Sequence, residues 1–276
     1  MHPLRVAALQ MCSGNVWADN RAVVAEGLRQ AADEGVRLVV LPENFAVFGA
    51  ESTLAVAAAW DEITAWLAEQ ARSHRLWLVA GTLPASLRPD GTPVPGGRVR
   101  SATLVFSDEG ICVGRYDKRH LFDVEVADAQ GSYRESATFE PGDEVALIDT
   151  PWGGLGILTC YDLRFPEQAR QLRKLGADIL ACPAAFTAVT GEAHWQVLLR
   201  ARAIENQCLM IAAAQGGRHS PQRQTWGHSQ IIDAWGRVLA ERGESGAGLV
   251  AAGWDCGEQE ALRRRMPVQA HRRDGG

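Results

Sequence analysis

Three side chains of different chemistry stand at the ends of predicted strands: the carboxyl of Glu43, the amine of Lys118 and the thiol of Cys160. Together they could open an amide. A sulfur attacks the carbonyl carbon, a carboxyl moves the proton, and an ammonium holds the negative oxygen that forms. Cys160 ends the run Gly156-Ile157-Leu158-Thr159 and precedes Tyr161-Asp162-Leu163-Arg164-Phe165-Pro166-Glu167, where proline can open a helix. A strand-to-helix turn projects a side chain from the end of a sheet and leaves backbone N–H groups free to face an oxyanion. A cysteine by itself is more often inert core, and Cys12, Cys112, Cys182, Cys208 and Cys256 are read that way.

Glu43 follows Val39-Val40-Leu41-Pro42, so its carboxyl emerges from a buried strand incompletely solvated and suited to exchanging a proton. Alone, a charged side chain at a strand end is more often a solvated terminus. Lys118 lies in Gly114-Arg115-Tyr116-Asp117-Lys118-Arg119-His120-Leu121-Phe122, directly after a strand. An ammonium there is ordinarily surface charge, but beside a thiol it would lower the thiol pKa and later stabilise a tetrahedral oxyanion. His120 and His194 are rival bases of a Cys–His pair, yet neither explains a lysine and a glutamate at strand ends. Arg164, Arg200, Arg202 and Arg218 could grip substrate carboxylates. Arg200 and Arg202 sit on a predicted helix and read as structural ion pairs, and of the four only Arg164, four residues beyond Cys160, is placed to reach a substrate.

The elements that must position these groups follow from periodicity. Residues 4–11 read as a buried strand, 20–33 as a helix and 37–41 as a strand, then 54–71 as a helix and 77–82 as a strand. A proline- and glycine-rich loop over 84–97 leads into a hairpin, 99–106 and 111–116, turning at Asp108-Glu109-Gly110. The second half repeats the rhythm with strand 155–159, helix 166–175, strand 178–182, helix 192–207 and strand 208–214. Residues 35–42 and 176–183 are alike, each following a helix and ending in proline, which implies two related sheets covered by helices. A second hairpin over 227–242 turns at Trp235-Gly236, and 258–265 reads as a short amphipathic helix.

Composition bounds the rest. With 46% hydrophobic and 22% charged residues the 276-residue chain resembles an ordinary globular protein with one core. A net charge of −5 gives no footprint for a phosphate backbone, so nucleic acid is not an expected partner. The run Arg263-Arg264-Arg265 reads as a solvated helix face. No apolar run approaches the roughly 20 residues needed to span a membrane. Met1-His2-Pro3-Leu4-Arg5 leads into a strand without a leader pattern, and the six cysteines form no C-x-x-C pair, so a reduced, cytoplasmic setting is expected.

Pro42-Glu43 at a strand end, the Tyr116-x-Lys118-x-His120-Leu121 segment and the Cys160-Tyr161-Asp162-x-Arg164-Phe165-Pro166-Glu167 segment resemble, in order and separation, the three signatures of the nitrilase superfamily. The likeness runs from about residue 4 to 273. It implies that Glu43, Lys118 and Cys160 form a catalytic triad, with Glu135 as a second glutamate positioning lysine and substrate. Tyr161, Arg164, Phe186, Thr187 and His194 complete the set as substrate-binding candidates. The stretches beginning at Lys118, Thr190, Leu198 and Ala213 are similar to the deaminated glutathione amidase branch, although Gly216 and Trp226 depart from residues common there. The implied reaction is amide hydrolysis through a cysteine thioester, splitting deaminated glutathione into 2-oxoglutarate and cysteinylglycine. An ω-amidase acting on 2-oxoglutaramate and a non-catalytic small-molecule binding protein are the alternatives. No metal or organic cofactor is required, and the expected partner is a small amide carrying carboxylates. The implied fold is a four-layer α-β-β-α sandwich of the α/β class. It forms one domain over 1–276 with a tail from about 266, and pairs through a helical face into a homodimer.

Overall fold

Along the first strand, β1 (Leu4–Gln10), alternate side chains enter different cores, and this alternation generates the layers. The computed structural model describes residues 4–243 and 245–273. After β1 come α1 (Trp17–Asp33), β2 (Leu38–Val40), α2 (Ala50–Ala58), α3 (Trp60–His74), β3 (Trp77–Val79), β4 (Leu83–Ala85), β5 (Arg100–Phe106) and β6 (Cys112–Asp117). Two short strands, β7 (Asp123–Glu125) and β8 (Ser132–Arg134), precede β9 (Leu147–Thr150), β10 (Gly153–Ile157), α4 (Pro166–Leu175), β11 (Ala177–Ala184), α5 (Ala188–Asn206) and β12 (Leu209–Ala214). The chain closes with β13 (Gly216–Arg218), β14 (Gln224–Trp226), β15 (Gln230–Ile232), β16 (Val238–Glu241), β17 (Gly248–Trp254) and α6 (Cys256–Arg265).

Val6 and Ala8 of β1 join Leu38, Val40, Leu155, Ile157, Ile179, Ala181, Leu209 and Ile211 in a core between two sheets. Their neighbours Ala7 and Leu9 point the other way, onto Val24, Leu28 and Ala31 of α1 and Ile63, Leu67 and Ala71 of α3. On the second sheet Leu180, Cys182, Met210 and Ala212 meet Ala169 and Leu172 of α4 and Trp195, Leu199 and Ala203 of α5. Strands buried on both faces must be continuously apolar, which is why Leu38-Val39-Val40 carries no polar residue. Helix, sheet, sheet and helix therefore stack as expected. At Gly27 a Cβ would lie 2.6 Å from the Leu9 side chain, so with glycine there α1 approaches β1 without displacing that leucine.

The first sheet runs β17-β1-β2-β3-β5-β4 with β6 paired to β5, and the second runs β16-β15-β12-β11-β10-β9. In each, three consecutive strands are parallel, β1-β2-β3 and β10-β11-β12. The two similar segments, 35–42 and 176–183, contain the middle strand of each triplet.

Several elements differ from the sequence expectation. The helix predicted over 54–71 is two helices broken at Ala59, whose N–H bonds the Ala55 and Val56 carbonyls while its backbone leaves helical geometry. No proline or glycine marks that break. Helix α5 begins at Ala188 because the Thr187 side chain caps it, accepting from the Thr190 N–H at 3.2 Å. Strand β17 was not predicted, yet it pairs with β1 along its length and closes the first sheet. Arg263 is no solvated side chain: it pairs with Asp178 and donates to the Gln207 carbonyl at 2.7 Å, fixing α6 to the second sheet. Of the expected tail, 266–273 are described and contain a short turn, Val268–His271, whereas the start read from residues 1–3 lies outside the described residues. Among the described residues no helix is long and apolar enough to cross a membrane.

Candidate active site

Each candidate group is held by its backbone before its side chain is considered. Glu43 leaves β2 in a loop packed on Gly81, whose φ is +48° and where a Cβ would lie 2.1 Å from the Pro42 carbonyl oxygen. The Gln215 side chain, from just beyond β12, donates to the Glu43 carbonyl at 2.9 Å and to Ser13 Oγ at 2.8 Å. Lys118 follows β6, its N–H bonded to the Ser101 carbonyl and its own carbonyl accepting from Gly142. Glu135 opens the short turn Glu135–Ala137, and its Oε2 accepts from the Phe122 N–H at 2.6 Å.

Cys160 opens the 3-10 turn Cys160–Arg164 with φ +48°, a left-handed conformation uncommon outside glycine. A reciprocal cap between Thr159 and Asp162 fixes this turn. Asp162 is fully buried and ties the turn to the lysine segment. Its Oδ2 accepts from the Tyr116 hydroxyl (2.5 Å) and the Thr159 N–H (2.8 Å), and its Oδ1 accepts from the His120 N–H (3.1 Å) and Nδ1 (2.7 Å). His120 also stacks on Phe165, so both faces of its role are structural and the rival Cys–His pair does not form.

The side chains then converge. Lys118 Nζ lies 2.8 Å from Glu43 Oε1 and 2.8 and 2.9 Å from the two Glu135 oxygens. Cys160 packs within the electrostatic reach of both Glu43 and Lys118, and the Ala185 N–H faces its sulfur. Lys118 is 2% exposed, Glu43 4% and Cys160 7%, so all three are withdrawn from water at the wall of a cavity of about 440 Å³.

The charges decide the protonation states. Burial pushes the Cys160 thiol well above its ordinary range and Glu43 adds to this, while Lys118 and the Ala185 N–H pull the other way and lose. The expected lowering of the thiol by lysine is thus present but outweighed. Burial works against the Lys118 charge too, yet the Glu135 and Glu43 carboxylates hold its ammonium well above the usual lysine value. The Glu135 carboxyl is raised by burial, with Lys118 opposing and Glu43 adding. One ammonium between two carboxylates leaves a net charge of −1, so a free thiolate would add a second negative charge. The thiol proton must therefore pass to a neighbouring carboxyl as the sulfur attacks.

Among the substrate-binding candidates, Phe186 and Thr187 line the cavity with Cys160. Tyr161, Arg164 and His194 are not among its lining residues. The Tyr161 ring packs on Phe122 and Phe165, and Arg164 hydrogen-bonds His194 at 3.1 Å while lying over the Phe186 ring at 5.1 Å. Residues that sequence reasoning passed over also line it: Phe48, Tyr133, His219 and Arg223. His219 stacks on Phe48 at 3.8 Å, and burial pushes it down to about 4, which keeps it neutral at pH 7. Nothing in the polar run His219-Ser220-Pro221-Gln222-Arg223 signals this burial. Asp162, by contrast, carries a signal: a carboxylate inside an otherwise apolar strand-to-helix junction. A larger groove of about 700 Å³ beside α6 is lined by no described cysteine, serine, threonine or lysine. Among the described residues no group of three or more His, Cys, Asp or Glu is arranged to hold a metal ion.

Known proteins resemble this chain in both sequence and fold. A protein of Yersinia enterocolitica named deaminated glutathione amidase is 41% identical over 278 residues, covering 99% of this chain and 94% of its own. The human protein of that name is 39% identical over 272 residues, covering 97% and 82%. The crystal structure of Caenorhabditis elegans NitFhit matches with a TM-score of 0.90 at 38% identity, over 99% of this chain and 66% of that one, so the chain spans about two thirds of that protein. Saccharomyces cerevisiae Nit3, described as a member of branch 10 of the nitrilase superfamily, matches with a TM-score of 0.85 at 28% identity, over 99% and 97%. The sequence profile of the carbon-nitrogen hydrolase family matches residues 5–264, and with it the chain belongs to that family.

Proposed function

We propose that the chain is an amidase that hydrolyses deaminated glutathione to 2-oxoglutarate and cysteinylglycine, with Glu43, Lys118 and Cys160 as the catalytic triad and Glu135 holding the lysine. The observation that carries the chemistry is the meeting of a buried sulfur, a buried carboxyl and a doubly paired ammonium in the wall of one cavity. The substrate is supported by relatives of that name aligned over nearly the whole chain.

In the first half-reaction Glu43 takes the Cys160 proton while the sulfur bonds to the amide carbon, and the carbonyl π pair moves onto oxygen. The Lys118 ammonium and the Tyr161 backbone N–H hold that oxyanion. On collapse the C–N bond breaks, and its electron pair takes the proton from Glu43, so the amine leaves and an acyl thioester remains. Water then gives a proton to Glu43 and its oxygen to the acyl carbon. The C–S bond breaks and the departing sulfur recovers the proton. Proton and sulfur move together at each step, which keeps the cluster from carrying two negative charges.

Release of 2-oxoglutarate and cysteinylglycine from deaminated glutathione, measured beside ammonia release from 2-oxoglutaramate, tests this reading. A higher kcat/KM on the first is expected. Preference for the second makes the chain an ω-amidase, and binding of both with turnover of neither makes it a binding protein.

Exposed apolar side chains along α5, Val189, Val197 and Ile204, together with Trp235, support the pairing of two copies through this face. Light scattering tests it, and a monomer mass at assay concentration counts against it.

A further inference from the structure

We propose that Arg223 selects the acyl half of the substrate by binding a carboxylate at its far end, an inference that rests on the amidase reading above. The cavity holds three cationic side chains among the described residues: Lys118, Arg134 and Arg223. Lys118 is saturated by Glu43 and Glu135. Arg134 is 58% exposed and faces Glu125 at 3.9 Å. Arg223 has no carboxylate within ion-pair distance among the described residues. Its Nη1 donates to the Tyr133 hydroxyl at 2.8 Å and its Nη2 to the Ala185 carbonyl at 2.9 Å, both neutral oxygens. Asp128, the acid whose charge it feels, is occupied by the Tyr133 hydroxyl at 2.7 Å and by the N–H groups of Gln130 and Gly131. A guanidinium has five N–H donors, so most of those of Arg223 remain for a ligand.

Its surroundings hold the guanidinium still. It lies over the Tyr133 ring at 4.8 Å and the Phe48 ring at 5.6 Å. Such a pre-oriented fork binds a carboxylate through two parallel hydrogen bonds.

Distance and charge agree with this role. Ala185 presents its N–H to the Cys160 sulfur and its carbonyl to Arg223. Sulfur and guanidinium, both beside this one residue in the wall of the same cavity, are therefore on the order of 10 Å apart. A 2-oxoglutaryl thioester places two methylenes and a ketone between the acyl carbon and its carboxylate, a comparable reach. The catalytic cluster, at a net charge of −1, would repel that carboxylate. His219, kept neutral by burial, offers no compensation and Arg134 is largely exposed beside Glu125, which leaves Arg223 as the cation held in the cavity wall.

The test compares full-length wild type, Arg223→Met and Arg223→Lys on two substrate pairs. One pair is deaminated glutathione and N-(4-oxopentanoyl)-cysteinylglycine, and the other is 2-oxoglutaramate and 4-oxopentanamide. Within each pair only the acyl carboxylate is replaced by methyl. For Arg223→Met, kcat/KM on the carboxylate member should fall on the order of 100-fold, mostly through KM. Its rate on the methyl member should stay within about threefold, and Arg223→Lys should recover part of the loss. Equal loss on both members, or loss on neither, overturns the assignment. If wild type hydrolyses only the 2-oxoglutaramate pair, the proposed substrate falls while the Arg223 comparison is still read there. If wild type favours the methyl members, Arg223 is misassigned.

Discussion

Asp117 and Lys118 are adjacent, both buried, and serve two unlike charge clusters. Asp117 faces Arg115 at 2.7 Å and Arg100 at 3.4 Å, and Arg100 with Arg88 also clamps Glu140 at 2.6 and 2.8 Å. Here four guanidinium groups, Arg98 among them at 3.8 Å from Glu140, face three carboxylates, since Asp143 lies 3.5 Å from Arg100, and Glu140 is pulled down to about 2 by Arg88, with Arg100 adding. Around Lys118 the balance reverses, with two carboxylates and a thiol sharing one ammonium. The first cluster has every carboxylate satisfied and offers no place for a proton to go. The second has more acid groups than cations, opens on a cavity, and can pass a proton within itself. Burial of charge is common to both, and the unequal stoichiometry beside a nucleophile separates chemistry from scaffolding.

Substitutions should separate the clusters by readout. Cys160→Ala should retain the fold and lose all measurable turnover, and Glu43→Gln should do nearly the same because it keeps shape while deleting the proton carrier. Wild-type rates in either variant would remove that residue from the scheme. Lys118→Met should lose most of the rate and also destabilise the protein by about 3–5 kcal/mol, since two buried carboxylates then lack their cation. Denaturant unfolding beside kcat resolves the two effects, and a loss of stability with full activity would reassign Lys118 to the scaffold.

Glu140→Gln should show the opposite split, with lower stability and kcat within a few-fold of wild type. The depressed Glu140 value means that its contribution is complete above the usual glutamate range and is lost as pH falls toward about 2. The variant's stability should therefore vary less with pH over that window than the wild type's. His219 gives the smallest effect. Because burial depresses it to about 4, the unfolded chain takes up its proton first, at the usual value near 6.5. Stability is complete above that value and should fall by up to about 3 kcal/mol as pH drops toward 4. His219→Gln should flatten this part of the curve, and an unchanged slope would show that the histidine is not held neutral.

The strand-end groups are legible in the sequence because a strand buried on both faces is an unbroken apolar run, against which Glu43 and Cys160 stand out. The four layers follow from the same runs alternating with helices. Glu135 is different: it lies in a polar loop, and only resemblance to a family brings it forward. Arg164 is close to Cys160 in sequence, but the intervening segment is a 3-10 turn, and its guanidinium lies over the Phe186 ring, hydrogen-bonded to His194, and is not among the groups lining the cavity. Arg223 sits in a run that reads as surface, and its burial against Tyr133 and Phe48 depends on contacts remote in the chain. Strand β17, four of whose seven residues are alanine or glycine, gives little signal although it completes the first sheet.

The most direct test of the proposed chemistry is mass spectrometry of the protein acid-quenched during turnover of deaminated glutathione. A 2-oxoglutaryl adduct on the peptide containing Cys160, absent from Cys160→Ala, is the expected result. Steady turnover with no adduct on that peptide, or with the adduct on another residue, would contradict a thioester route through Cys160.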